Sequence, residues 1–62
     1  MEHETDLKGI DDKIQFMKKT AEDLREKAAR FPALHRNLTR ILAGIKMLEL
    51  NVSDLVETVD DQ

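Results

Sequence analysis

Two apolar stripes of the same period flank Arg30-Phe31-Pro32-Ala33, and few folds can accommodate both. Before that stretch, Leu7, Ile10, Ile14, Met17, Ala21, Leu24, Ala28 and Phe31 recur at alternating steps of three and four. After it, Leu34, Leu38, Ile41, Ile45, Leu48, Val52, Leu55 and Val59 do the same. Such steps line one face of an α-helix. Pro32 divides the two stripes: it has no amide hydrogen and its ring pushes Phe31 away from helical angles, yet it suits the first position of a new helix. The pattern predicts an all-α, antiparallel two-helix hairpin, with helix one over about 5–30, a turn at 31–33 and helix two from 32 or 33 to 59. One long helix kinked at Pro32 is the competing fold, and the mirrored stripes argue against it.

Local signals agree with two helices. Residues 1 to 4 are polar and read as a frayed end, with Thr5 or Asp6 as the cap that accepts a hydrogen bond from an orphan amide. Lys27 and Arg30 suit the negative end of the first helix dipole. In a hairpin that reverses near residue 32, facing residues have numbers summing to 65 or 66. The layers are then Leu7 with Val59, Ile10 with Leu55, Ile14 with Val52, Met17 with Leu48, Ala21 with Ile45, Leu24 with Ile41, and Ala28 with Leu38. Phe31 and Leu34 close the last layer, and Gly44 beside the Ala21 level lets the two helices approach.

A chain of 62 residues is one small domain and buries only about 60% of the surface its unfolded form exposes. Small folds usually add disulfides, a metal or self-association to such a core. With no cysteine, disulfides and thiolate metal sites are excluded and nothing points to an oxidising compartment. Self-association remains. Leu42 and Val56 widen the second stripe toward the arc expected in a bundle, so the economical assembly is two hairpins forming a homodimeric four-helix bundle with coiled-coil-like packing. Its core would draw on Ile14, Met17, Leu24, Ile41, Leu42, Ile45, Leu48, Val52 and Val56. The third possibility is a subunit that completes a bundle with a different protein.

Charge has a direction along this hairpin. Arg25, Lys27, Arg30, Arg36 and Arg40 crowd the turn end, whereas Glu2, Glu4, Asp6, Asp54, Glu57, Asp60 and Asp61 crowd the other. In helix two that order opposes the dipole. An antiparallel dimer sets the basic end of one hairpin beside the acidic end of the other, which selects orientation more than it adds stability. Length and layout resemble the repressor-of-primer family, whose small helical hairpins dimerise into four-helix bundles. The likeness covers architecture alone, and that family's RNA-reading residues have no matching positions here. The Phe31-Pro32 turn also resembles that of small hairpin proteins accompanying nitrogenase gene clusters, without the aromatics they carry after it.

Three surfaces could carry function. Phe16, Met47 and Leu50 lie off the core seam at one height, as scattered exposed residues or as a partner-binding patch. Lys13, Phe16, Lys19 and Lys27 share an outer face on which an aromatic could stack on a base between phosphate-holding lysines. Asp12 and Asp23 share that face and the net charge is −3, which argues against nucleic acid. The basic turn of Arg30, Arg36 and Arg40 with His35 is the better anion site. His35 itself reads as a surface histidine, and His3 lies at the opposite end, so a metal centre is not expected.

Nothing in the chain assembles a reaction. The acid pairs Asp11-Asp12, Glu22-Asp23 and Asp60-Asp61 are solvated helix faces, not carboxylates perturbed in a cleft. Asn37-Leu38-Thr39 and Asn51-Val52-Ser53 match the glycosylation acceptor pattern without a signal sequence to expose them to it. The acidic opening residues and the absence of a long apolar run point to a cytoplasmic protein. The sequence therefore predicts a non-catalytic, cofactor-free protein–protein interaction module, of adaptor, regulatory or chaperone-like kind, acting as a homodimer. The alternative is repressor-of-primer-like RNA or anion binding through Lys13, Phe16, Lys19 and the basic turn.

Overall fold

The computed structural model describes the backbone of residues 2–60 and the side chains of residues 6–57. Two helices, α1 (Glu2–Lys27) and α2 (Pro32–Asp60), pack side by side, and no strand occurs among the described residues. Helix α1 already begins at Glu2, so residues 2 to 4 are helical rather than frayed. Thr5 and Asp6 lie inside the helix and cannot be its cap. The acidic residues there still suit the positive end of the dipole.

The reversal is earlier and one residue longer than expected, spanning residues 28–31, because α1 ends at Lys27 instead of residue 30 while α2 begins at Pro32. Ala29 N–H donates to the Glu26 carbonyl at 3.3 Å and Phe31 N–H to the Ala28 carbonyl at 2.9 Å. These three-residue spacings are the tighter turns that often close a helix. No described residue outside glycine adopts a positive φ, so the chain turns without the left-handed residue that many helix ends use. Phe31 is the boundary predicted from its proline neighbour. Its carbonyl accepts from His35 N–H at 2.9 Å, which makes Phe31 the residue preceding the first turn and Pro32 the first residue of α2.

The hairpin is a rod of 48 × 15 × 10 Å with a radius of gyration of 14.5 Å, against the roughly 10.6 Å of a compact chain of this length. Little of it can be interior. Buried are Ile14 and Ala21 from α1, Ala28 just past its end, and Leu38 and Ile45 from α2. Ile14, Ala21 and Ile45 form the central cluster, with Leu42 and Val52 packed against it.

The expected layers hold only in part. Ala21 and Ile45 share the central cluster with Ile14, against which Val52 packs, and Ala28 and Leu38 are each buried nearer the turn. Met17 with Leu48, Leu24 with Ile41, and Ile10 with Leu55 remain 41–51% exposed. Phe31 and Leu34 do not close a last layer; they are 53% and 55% exposed, because the earlier turn leaves both outside the seam. The Leu7–Val59 layer lies partly outside the described side chains. A Cβ added at Gly44 meets nothing within 4 Å, so this glycine does not serve the approach of α1 to α2.

Candidate interaction face

At about 100° per residue, Met17 and Lys18 diverge to opposite flanks of the Ile14–Ala21 seam, and Leu48 and Glu49 diverge likewise about Ile45. The helices run antiparallel, so equal rotations put Lys18 with Glu49 on one side of the two-helix layer and Met17 with Leu48 on the other. Side-chain contacts agree. Lys18 Nζ lies 3.2 Å from Glu49 Oε2, and Gln15 Nε2 donates to the same oxygen at 2.8 Å. The hydrogen bond from Gln15, then that from Lys18, holds the Glu49 carboxyl below the usual glutamate range. Asp11, Lys18, Arg25, Leu42 and Glu49 are half-buried along this side.

The other side is apolar and bare. Ile10, Met17 and Leu24 on α1 and Phe31 in the turn follow one another every seven residues, and Leu34, Ile41, Leu48 and Leu55 do so on α2. All eight are 41–55% exposed. A single exposed leucine is ordinary, whereas a run of large apolar side chains along one side of a chain is not. Of the core positions read from the sequence, Ile14 and Ile45 are buried within the hairpin, and Leu42 and Val52 are partly covered by it. Met17, Leu24, Ile41 and Leu48 lie on the open face. Val56, 40% exposed, lies near the seam at the end away from the turn. Ile10, Phe31, Leu34 and Leu55 complete the face and were legible in the same seven-residue spacing. The Gln15–Lys18–Glu49 bridge had no sequence signal beyond compatible charge.

Phe16, Met47 and Leu50 are 72%, 59% and 49% exposed, and the bridge from Gln15 and Lys18 to Glu49 sets them at one height. They do not form one patch. Phe16 and Met47 each lie about 160° from their own seam, so they point outward from opposite edges of the layer. On the lysine face, Lys27 pairs with Asp23 at 2.9 Å and Lys8 with Asp12 at 3.3 Å. The hydrogen bond from Lys27 to Asp23, with the charge attraction behind it, raises the Lys27 pKa above the usual lysine value.

Arg30, Arg36, Arg40 and His35 are exposed at the turn end. Among the described residues no group of three histidine or acidic side chains could hold a metal ion, and His3 lies outside the described side chains. No described helix is long and apolar enough to cross a membrane. No known protein family matches the chain, and neither a curated protein nor a solved structure matches it.

Proposed function

We propose that the chain is a non-catalytic protein–protein interaction module that acts as a homodimer, with two hairpins joining their apolar faces into a four-helix bundle. The one-sided hairpin carries this reading: eight large apolar side chains half-exposed on one side, a polar bridge closing the other. Fully burying a side chain of this kind contributes roughly 1.5–3 kcal/mol, so covering the exposed half of eight offers a gain that adds to the small core of the single hairpin. A rod of this kind would present its outer edges, with Phe16, Met47 and Leu50, and its basic turn, with Arg30, Arg36 and Arg40, to further partners as an adaptor or regulatory module does.

Gel filtration of the wild type beside Leu48→Asp tests the reading. A dimer that the aspartate converts to a helical monomer supports it. A wild-type monomer that gains stable mass only with a different helical protein would make the chain one half of a mixed bundle. An RNA complex that weakens steeply with salt and survives Leu48→Asp would replace the reading with anion binding through Lys13, Phe16, Lys19 and the turn.

A further inference from the structure

Resting on the reading that a second copy covers the open face, we propose that Gly44 is the point at which α2 crosses α2 of that copy, in a dimer whose two turns lie at opposite ends. A glycine inside a helix costs about 1 kcal/mol relative to alanine. Within the hairpin nothing offsets that cost, since the space where its Cβ would stand is open. Gly44 lies about 100° round from Ile45, on the flank that carries Ile41 and Leu48, and midway between Leu34 and Leu55 at the limits of the face. The position therefore suits a contact made from outside.

The geometry of two apposed faces leaves two orientations. With the turns at opposite ends, the two-fold axis crosses the layer at mid-height and each helix meets its own copy antiparallel. Full overlap then sets Ile41 against Leu48 and Leu34 against Leu55 of the second copy, and Gly44 meets Gly44. On α1 the same axis sets Ile10 against Phe31 and Met17 against Leu24. With the turns together, α1 faces α2 of the second copy and Gly44 faces the level of Ala21, where one glycine has no mate.

Charge selects the first orientation. It places the arginines of the turn end beside the acids of the other end, while the second stacks like charge at both ends. Lys13 comes level with Lys27 of the second copy, but Lys27 is drawn outward to Asp23 at 2.9 Å. The broad side of a 48 × 15 × 10 Å rod is of the order of the ~800 Å² per partner that standard interfaces bury.

The chain has no cysteine, so introduced thiols report position directly. Asn37 and Asn51 flank Gly44 by seven residues on each side, are exposed, and stand roughly 21 Å apart along α2, too far to bridge within one chain. The double variant Asn37→Cys/Asn51→Cys, oxidised mildly, is compared with Ala33→Cys at the turn, while sedimentation of the reduced proteins records whether each is a dimer. The proposal predicts that the double variant cross-links between chains roughly 10-fold or more faster than Ala33→Cys, the advantage of thiols held at high effective concentration. Faster cross-linking of Ala33→Cys overturns the orientation while leaving the dimer standing. Equal, slow cross-linking in reduced dimers overturns Gly44 as the crossing point. Monomeric reduced proteins overturn the homodimer reading beneath it.

Discussion

The two broad sides of the hairpin are built from neighbouring residues and end up with opposite chemistry. Lys18 follows Met17 and Glu49 follows Leu48, yet one member of each pair joins a bridge across the helices and the other stays half-exposed. The polar side is finished within one chain: Gln15 and Lys18 converge on Glu49. The apolar side has no such closure. Because an exposed ion pair contributes little energy, the bridge fixes register and side more than it adds stability, and the larger gain available to this fold lies on the side it leaves open.

Substitutions can break or sharpen that contrast. The largest effect belongs to neither side but to the seam between them. Ile45→Ala, at a residue only 3% exposed in the central cluster, should cost about 2–5 kcal/mol, read as a large fall in thermal or urea midpoint. Next, Leu24→Asp or Leu48→Asp on the apolar side should weaken self-association at least roughly 30-fold, the effect of losing a ~2 kcal/mol anchor, while Lys18→Ala on the polar side leaves the association constant within about 2-fold.

A smaller effect separates the sides by pH. The Glu49 pKa is lowered in the folded chain, so its stabilisation is fully present above the ordinary glutamate pKa and is lost as pH falls through the lowered value. In acid, wild-type unfolding midpoints should decline in that window more than those of Glu49→Gln. Smallest of all, Phe16→Asp at an outer edge should change stability by no more than about 0.5 kcal/mol and leave the dimer intact. A loss of dimer in Phe16→Asp would show that the edge, not the face, is the interface.

Much of this was legible in the sequence, for reasons that also mark where reading stopped. Steps of three and four and a single proline suffice for two helices and one reversal, and the expected level of Glu49, opposite residues 16 and 17, falls between Gln15 and Lys18, the two residues that meet it. Periodicity cannot say which of two adjacent files turns inward. Ile14, Ala21 and Ala28 form one file, Ile10, Met17 and Leu24 the other, and both fit a hairpin until the angle between the helices is known. Small Ala21 and Ala28 were the available hint, since alanines allow the closest approach and so mark the seam. The turn was misplaced because α1 stops at Lys27, before Pro32 obliges it to, and Phe31 and Leu34 lost their expected layer with it. The edge residues Phe16 and Met47 shared a height in the sequence, but direction around each helix separates them.

The homodimer stands or falls on whether a second copy of the chain covers the open apolar face. Sedimentation equilibrium of the unaltered protein in dilute solution at neutral pH measures this directly. A homodimer gives twice the mass of one chain, with dissociation only at low concentration. A single-chain mass across the concentration range would contradict it.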